Sequence, residues 1–538
     1  MLLKDYVKRS ALHYSDVTAC ICDISGLKDY TFAKLEDRTY RIANALINIG
    51  IKKGDRVGVM LTNRTEFLEL YFGITTAGGT VVPINTRLTS VEIAGIINHS
   101  GTVAIVSQEP FIGRVETVRA AIPNVKNFIA VDDTNYRRWL NYENIIAQSR
   151  DTDPSIDIDD TDLISLNYTS GTTGGRPKAA MTTHRNSIAQ GNGHRAIVYR
   201  EPGEIVLGFY PLWHTAINLY LEFVGAGQTQ VLADFTPKRS CELIERYRPK
   251  DLFIPAAALT QLVNYSEFEK YDVSSIKRQC ATGGGALPLA TLRKWFKHCA
   301  DDFEFITHAE AQTECCSIMT WKKIYRASID MIESSMKKLS EKYGFWPAGV
   351  PVGKEGMYPI QVRLADDNGK TVPTGVVGEF VHRGDCTIHG YWNEPELTAQ
   401  SFTHNGWFKS GDLGIKDESG EMFFVGRKKF AINSGGEIIY ADEIEEVLRM
   451  HPAIMEACVI GVPDEKWGET PKAFCVLIPG ANCAADELIE FTKQYLASYK
   501  KPTIVEFISD EELPRLASGK VAKAELRKKL TEASPLSG

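Results

Sequence analysis

The sequence predicts an α/β protein in which a large, multi-layered N-terminal domain with parallel and mixed sheets precedes a small α+β C-terminal domain. In the first third of the chain, apolar strand patterns alternate with helical patterns, which is typical of parallel sheets covered by helices. The same alternation returns over residues 204–254. Beyond about residue 430 it gives way to shorter strands and two helices. A chain of 538 residues is also too long for a single core.

The helix predicted over residues 33–49 shows how the early elements are derived. Leu35, Ile42 and Leu46 recur at helical spacing on one face, and Gly50 supplies a helix stop. The same reasoning predicts strands over 56–61, 80–84 and 102–106 and a helix over 65–77. Because strands and helices alternate, these elements are expected to form parallel sheet.

The division into domains follows from the change of pattern near Lys429. We expect a large domain over residues 1–428 and a small, mobile domain over 429–538, which is an ordinary domain size. The small domain is predicted to contain strands over 456–462 and 472–478 and helices over 441–450 and 485–498. Residues 322–345, rich in Lys, Ser, Met and Glu, are predicted to form a solvated helical excursion rather than core.

Composition excludes several classes of protein. The net charge of −7 and the pI near 6.0 argue against a nucleic-acid partner, because phosphate binding needs a basic face. No apolar run approaches the roughly 20 residues of a membrane span, so no integral membrane segment is expected. The 11 cysteines are scattered without a CxxC pair and are interpreted as reduced thiols, which predicts a cytoplasmic protein.

A loop rich in glycine and hydroxyl groups, residues 168–178, follows an apolar strand over 163–166. Its glycines let backbone N–H groups approach a ligand closely, its hydroxyls add donors, and Lys178 can neutralise a phosphate oxygen. The loop is not a Walker A motif, because Pro177 precedes the lysine and Ala179 follows it. It is therefore predicted to bind phosphate groups, through Thr169, Ser170, Gly171, Thr172, Thr173, Gly174 and Lys178.

This loop resembles the signature of the adenylate-forming (AMP-binding) superfamily, which includes acyl-CoA synthetases, peptide-synthetase adenylation domains and beetle luciferases. Four further segments resemble motifs of that family and occur in the same order. They are Thr313-Glu314, the ribose-aspartate segment at 407–413, the hinge segment at 426–429 with 435–437, and the catalytic-lysine segment at 514–520. Together the five segments run from about residue 160 to 527.

The resemblance implies a role for each matching residue. Lys520 would be the catalytic lysine that bridges the carboxylate and the α-phosphate, and Thr313 would donate to the nucleotide phosphate. Glu314 would contact Mg²⁺, which favours carboxylate and phosphate oxygens. Asp412 would accept hydrogen bonds from the ribose hydroxyls with Arg427 beside it, and Lys429 would be the hinge. Gly284 would line the nucleotide site, while Gly285, Trp213 and His214 would line the acyl pocket.

The reaction implied is ATP-dependent formation of an acyl-adenylate followed by thioester formation with coenzyme A. The small domain would rotate between an adenylating and a thioester-forming pose, and the loop at 435–437 would approach the thiol in the second pose. One departure concerns adenine: the family commonly has Tyr-Gly before the Thr-Glu pair, whereas this chain has Glu310-Ala311-Gln312.

Within the family, the segment at 210–214 favours a carboxylic acid:CoA ligase for an aromatic, alicyclic or short-to-medium-chain acid. It lacks the aspartate that would hold a substrate amino group in an adenylation domain. The alternatives that stay open are an enzyme that loads a carrier protein, a long-chain fatty acid:CoA ligase and a luciferase-like oxygenase. The expected partners are a small carboxylic acid and CoA, and the oligomeric state, a homodimer included, stays open.

Overall fold

The computed structural model describes residues 1–23, 29–169, 178–280, 287–515 and 521–533. Its helices are numbered α1 to α16 in chain order: Lys4–Tyr14, Phe32–Asn48, Thr65–Thr76, Ser90–Ser100, Glu109–Thr117, Tyr142–Ala147, His184–Ile197, Ile217–Gly225, Pro237–Tyr247, Ala256–Val263, Leu289–His298, Ile329–Tyr343, Pro395–Ser401, Ala441–Arg449, Ala485–Thr492 and Lys523–Ala533.

The strands are numbered β1 to β26 in the same way: Thr18–Cys22, Tyr30–Thr31, Arg56–Met60, Thr80–Pro83, Thr102–Ser107, Asn127–Ala130, Leu140–Asn141, Leu163–Thr169, Lys178–Thr183, Ile205–Gly208, Thr229–Leu232, Asp251–Phe253, Arg278–Cys280, Phe305–His308, Ala311–Gln312, Ser317–Ile318, Lys322–Ile324, Gln361–Ala365, Gly378–Arg383, Phe408–Lys416, Met422–Arg427, Ala431–Ser434, Glu437–Tyr440, Ile454–Asp464, Gly468–Leu477 and Ile504–Phe507.

Two large mixed sheets form the first part of the chain, as the alternation of strands and helices predicts. One has eight strands in the order β17-β14-β13-β12-β10-β11-β1-β2, and the other has seven in the order β7-β6-β5-β3-β4-β8-β9. Neighbours in the middle of each sheet are parallel, and the antiparallel pairs lie at the ends. This confirms the predicted fold class of layered α/β structure with parallel and mixed sheets.

Smaller antiparallel-rich sheets form the rest of the chain. Strands β18 to β21 pair in sequence order as a four-stranded sheet, and β22 to β26 form a five-stranded sheet in which only β25 and β26 are parallel. The 3₁₀ turn Lys428–Phe430 connects the two sheets. Apolar side chains from both sides of this turn, among them Phe423 and Ile444, belong to one buried cluster, so the two parts are packed together in this structure.

Residues 322–345 differ from the prediction of a solvated excursion, which is wrong for most of the segment. Strand β17 adds an antiparallel edge to the eight-stranded sheet. Helix α12 then buries one face through Ile329, Ile332, Met336 and Leu339. Those positions recur at helical spacing and pack into the core, and the many charged residues occupy the opposite face.

Two of the predicted helices of the C-terminal part differ in length from those observed. Helix α14 ends one residue earlier than predicted, at Arg449. Helix α15 ends at Thr492 instead of 498, and the 3₁₀ turn Ser498–Lys500 follows. None of the described helices is long and apolar enough to cross a membrane. The cysteines whose side chains the structure describes are buried and form no disulfide.

Candidate active site

The topology brings several of the predicted site residues to the carboxyl edge of the eight-stranded sheet. Strands β10, β12, β13 and β14 are parallel neighbours, so the segments that follow them leave from the same, carboxyl edge. The segment with Trp213 and His214 follows β10, and Thr313 with Glu314 follows β14. Ligands of open α/β sheets bind at such an edge. Gly284 and Gly285, which come after β13, lie outside the described residues.

The predicted phosphate loop connects β8 to β9. Thr169 and Lys178 are cross-strand partners in this antiparallel pair, so the two ends of the loop lie side by side. Ser170, Gly171, Thr172, Thr173 and Gly174 lie outside the described residues. The loop therefore leaves β8 at Thr169 and enters β9 at Lys178.

Lys178 belongs to a hydrogen-bonded chain of three side chains that ends on Glu314. The ammonium of Lys178 donates to the hydroxyl of Tyr391 over 2.6 Å. Tyr391 in turn donates to Oε1 of Glu314 over 2.6 Å. The Lys178 ammonium also lies 3.4 Å from that same oxygen. A lysine, a phenol and a carboxylate thus form one contiguous polar group beside the phosphate loop.

Burial fixes the protonation state of Tyr391. Removal from water, together with the charge of Glu314, raises the pKa of the Tyr391 hydroxyl far above its usual value, so the phenol keeps its proton and acts as a donor. Glu314 itself is only 7% exposed. It lies in the 3₁₀ turn Thr313–Cys315, whose end at Cys316 takes a left-handed conformation. Thr313 is half-buried at the start of that turn.

Tyr391 was not found from the sequence. It follows Gly390, where a Cβ atom would lie 2.4 Å from Cγ2 of Thr398, so only glycine fits. The backbone N–H of Tyr391 donates to the Thr398 hydroxyl over 2.9 Å, which fixes the start of the following segment. A Gly-Tyr pair before a short helix is the only sequence signal, and by itself it does not identify a functional tyrosine.

Asp412 and Arg427 form the second polar centre. They are cross-strand partners on β20 and β21, and the guanidinium Nε lies 2.9 Å from Oδ1 of Asp412. Asp412 is 2% exposed. The Asp412 carboxylate is the main cause that raises the pKa of Arg427, and the charges of Glu310 and Glu314 contribute to it. The two polar centres therefore lie close enough to act on each other.

Lys429 lies in the turn directly after β21. Burial lowers the pKa of its ammonium to about 8, and the positive charges of Arg427 and Lys178 act in the same direction. Because the charges of Lys178, Arg427 and Asp412 act on it, Lys429 lies near Lys178 and near the Asp412–Arg427 pair. The ammonium also lies 4.4 Å from the centroid of the Phe430 ring.

A polar cleft of about 370 Å³ opens beside Lys178. Lys409, Lys428, Ser410 and Glu379 are among the residues that line it. Lys428 is paired with Asp367 at its mouth, and Glu379 accepts a hydrogen bond from the backbone N–H of Gly411 over 2.9 Å. The cleft runs from the end of the phosphate loop to the strand that carries Asp412.

Trp213 and His214 are half-buried on the loop after β10, with ring centroids 6.4 Å apart. Asn63 holds this loop from the other large sheet. Its side chain donates to the backbone carbonyl of Tyr210 over 3.0 Å and accepts from the N–H of Leu212 over 2.8 Å. The segment is thus fixed between the two sheets, with the indole and imidazole rings edge to face.

The segment before Thr313 forms a short hairpin instead of presenting an aromatic ring. Ala311 and Gln312 make up β15, which pairs with β16. Glu310 is 6% exposed, and its backbone carbonyl accepts from the N–H of Met319 over 2.8 Å. The side chain of Gln312 approaches the sulfur of Met319 at 3.9 Å. Lys520 lies outside the described residues.

Comparison with known proteins decides the family. The model of AMP-binding enzymes matches residues 7–392, and that of the AMP-binding enzyme C-terminal domain matches 443–520. The chain is 30% identical to 4-hydroxybutyrate–CoA ligase 2 of Metallosphaera sedula over 537 residues, covering 97% of this chain and 93% of the relative. It is 31% identical to a long-chain-fatty-acid–CoA ligase of Bacillus subtilis over 564 residues, with 98% and 95% covered.

The chain belongs to the AMP-binding enzyme family, among its acyl-CoA ligases. Its fold agrees with a solved anthranilate CoA ligase in complex with anthranoyl-AMP, at a TM-score of 0.86 and 23% identity, covering 99% of this chain and 98% of the other. The family places ATP-dependent adenylate chemistry on this chain, and the sequence-based expectations of fold, family and enzyme class are confirmed.

Proposed function

We propose that this AMP-forming acyl-CoA ligase activates an aromatic, alicyclic or short-to-medium-chain carboxylic acid and transfers it to CoA. The observation that supports the site assignment is the contiguous arrangement of Lys178, Tyr391 and Glu314 beside the phosphate loop, with the Asp412–Arg427 pair next to it. ATP binds with its phosphates at Lys178 and its ribose at Asp412. The acid enters beside Trp213 and His214.

The site residues have separate roles in the first step, adenylate formation. A carboxylate attacks the α-phosphate only if two anions are held together, so cations and hydrogen-bond donors must offset their charge. Lys178 provides one cation at the phosphate loop, and Lys520 provides a second at the α-phosphate. Thr313 donates to a phosphate oxygen. Asp412 accepts from the ribose hydroxyls while Arg427 pairs with its carboxylate.

The donor set fits one Mg²⁺ ion bound with the nucleotide. Among the described residues, the contacts that Glu314 makes with Tyr391 and Lys178 go to Oε1, which leaves Oε2 to face a metal or its water. Mg²⁺ usually takes one or two protein carboxylates together with phosphate oxygens and water. When bound, the ion offsets phosphate charge, and Tyr391 holds the Glu314 carboxylate in place for it.

We also propose that Lys429 is the hinge between a large part, 1–428, and a small part, 429–538. Support comes from its position in the turn between the four-stranded and five-stranded sheets. A hinge residue absorbs the backbone change when one part turns against the other. The protein is proposed to work in the cytoplasm.

The acid class is supported by two features. The pocket segment offers a tryptophan and an imidazole fixed between the sheets, which suits a ring or a short chain. The relative from Metallosphaera sedula is named for 4-hydroxybutyrate. A long-chain acid is the second candidate, because the Bacillus subtilis relative is named for long-chain fatty acids.

The test is pyrophosphate release with Mg²⁺-ATP across a panel of carboxylic acids, with and without CoA. Multiple turnover that needs CoA, with a ring-containing or short acid preferred by kcat/KM, is the expected result. Preference for long-chain acids would overturn the acid class and favour the second candidate. Turnover that CoA does not stimulate would point to a carrier protein as acceptor.

The variant Lys520→Ala tests whether Lys520 acts in adenylation only. We expect this change to abolish adenylation while thioester formation from supplied acyl-AMP and CoA continues, because only the first step places negative charge on the α-phosphate. An equal loss of both half-reactions would show that Lys520 has no special role in the first.

A further inference from the structure

Helix α12 and the residues after it contact the C-terminal part of the chain at several points. The hydroxyl of Ser340 donates to the backbone carbonyl of Tyr495 over 3.1 Å. The rings of Trp346 and Tyr495 meet edge to face, with centroids 5.1 Å apart. The ring of Phe345 packs against Tyr440, with centroids 5.9 Å apart. One short segment thus holds the C-terminal part through hydrogen bonds and aromatic packing together.

A buried ion pair lies at the centre of this contact. The ammonium of Lys500 lies 2.9 Å from both oxygens of Glu443, and both side chains are 1% exposed. The partners that complete their hydrogen bonding come from the segment after α12. Lys500 donates to the backbone carbonyl of Gly344 over 2.7 Å, and the N–H of Trp346 donates to Glu443 over 2.9 Å.

The ion pair therefore depends on the position of the C-terminal part. Burial raises the pKa of the Glu443 carboxyl, while Lys500 and the Trp346 N–H oppose that change. A buried pair is stable only when the remaining donors and acceptors are satisfied. If the C-terminal part turned about Lys429, Gly344 and Trp346 would stay behind, and both charges would lose a partner.

The pose that this contact holds can be identified from the loop at 435–437. Gly435, Gly436 and Glu437 are exposed, and the next residue, Ile438, is 46% exposed. Under the proposed function this loop approaches the thiol in the thioester-forming pose. An exposed loop does not line the acyl site, which argues against the thioester-forming pose. Under the proposed function we assign the arrangement seen here to the adenylating pose.

We propose that residues 329–346 form a latch that holds the C-terminal part in the adenylating pose, with Lys500 and Glu443 as its positioning residues. The inference rests on the proposed function, in which the two half-reactions use different poses. The latch sets the balance between the poses, because its contacts exist in one pose only. An intact latch thus favours the reaction with ATP and acid over the reaction with CoA.

The test compares the two half-reactions in Lys500→Met and Ser340→Ala. Adenylation is measured as single-turnover pyrophosphate release without CoA, using the best acid of the panel. Thioester formation is measured with the acyl-AMP of that acid and CoA. We expect adenylation to fall by roughly tenfold in Lys500→Met and less in Ser340→Ala, because the pose equilibrium shifts. Thioester formation should be unchanged or faster in both.

A matched control lies on the same helix. Lys342 of α12 pairs with Glu418, which belongs to the large part, so Lys342→Ala removes an ion pair without touching the latch contacts. This variant should keep both half-reactions at the wild-type rate. An equal fall of both half-reactions in Lys500→Met, or no change in either, would overturn the latch.

A second measurement tests the latch without activity, so that it stays separable from the proposed function. The backbone N–H of Trp346 should be protected from hydrogen exchange in the wild type and in Lys342→Ala. It should lose protection in Lys500→Met and Ser340→Ala under conditions in which both remain folded. Unchanged protection in Lys500→Met would contradict the latch, whereas an inactive wild type would contradict only the proposed function.

Discussion

Two acid–base pairs of this protein, Asp412–Arg427 and Glu443–Lys500, are assembled in different ways. Asp412 and Arg427 face each other on adjacent antiparallel strands, so one sheet register fixes both. Glu443 lies on α14 and Lys500 in a later turn, and their further partners come from residues 344 and 346. The first pair belongs to the proposed ribose site within one sheet, and the second joins two parts of the chain.

This difference predicts different consequences when each pair is broken. A pair within one sheet serves its ligand, so its loss should change ATP use more than folding. A pair at the contact between two parts is buried on all sides, so its loss should change folding first. The following changes separate the two effects and run from the largest expected change in free energy to the smallest.

Removing Glu443 should have the largest effect. Glu443→Ala leaves the Lys500 ammonium buried without its counter-charge, which costs about 3–5 kcal/mol of the free energy of unfolding. Urea denaturation measures the change. Glu490→Ala is the control, because the exposed Glu490–Lys493 pair should leave the midpoint of unfolding unchanged. A loss below about 1 kcal/mol for Glu443→Ala would mean that water replaces the carboxylate.

Asp412→Asn should change ATP use by about 100-fold while folding is retained. The amide keeps the size of the side chain but removes the charge that binds the ribose hydroxyls and pairs with Arg427. Hydrogen bonds to charged groups contribute about 1.5–3 kcal/mol each, which corresponds to this loss in kcat/KM for ATP. Pyrophosphate release at varied ATP measures it, and an unchanged KM and kcat would remove Asp412 from the ribose site.

Tyr391→Phe should lower the adenylation rate about tenfold. The change removes one hydroxyl that accepts from Lys178 and donates to Glu314. Hydrogen bonds to charged groups contribute about 1.5–3 kcal/mol each, and the direct contact of Lys178 with Glu314 offsets part of the loss. The Mg²⁺ concentration needed for half-maximal rate should rise, because Glu314 is less firmly held. Tyr265→Phe removes a hydroxyl contact with Glu267 elsewhere and should leave both quantities unchanged.

The smallest expected effect is a pH dependence that originates at Lys429. Its pKa of about 8 means that the folded protein loses this proton as pH rises through 8. The KM for ATP should then rise a few-fold between pH 7 and 9, since a positive charge near Lys178 and the Asp412–Arg427 pair disappears. Lys429→Arg should abolish the rise, because a guanidinium stays protonated. An equal rise in the variant would assign the effect to another group.

The lowered pKa of Lys429 also predicts how the free energy of unfolding changes with pH. An unfolded lysine keeps its proton up to its usual pKa of 10.5, whereas the folded protein releases it near 8. Between these values the unfolded state binds more protons, so the contribution of Lys429 to the free energy of unfolding rises with pH. In Lys429→Met this contribution is absent at every pH.

Several of the predicted site residues lie in local structures that a sequence motif covers. Thr169 and Lys178 are the ends of one antiparallel pair, and Asp412 and Arg427 are partners in another. A glycine- and hydroxyl-rich loop after an apolar strand indicates phosphate binding for local, conformational reasons. Such features depend on residues that are close in the chain, so a sequence motif can indicate them.

The sequence by itself therefore determined the layered α/β class, and it predicted the phosphate loop, the Thr313-Glu314 motif and the ribose aspartate. Only the tertiary structure decided that Tyr391 joins Lys178 to Glu314, that α12 buries one face and that Lys500 pairs with Glu443 beside Gly344. The sequence around a tyrosine or a lysine does not identify its partner when the two residues are far apart in the chain. The packing of separate elements sets such distances, and it becomes defined only when the whole chain has folded.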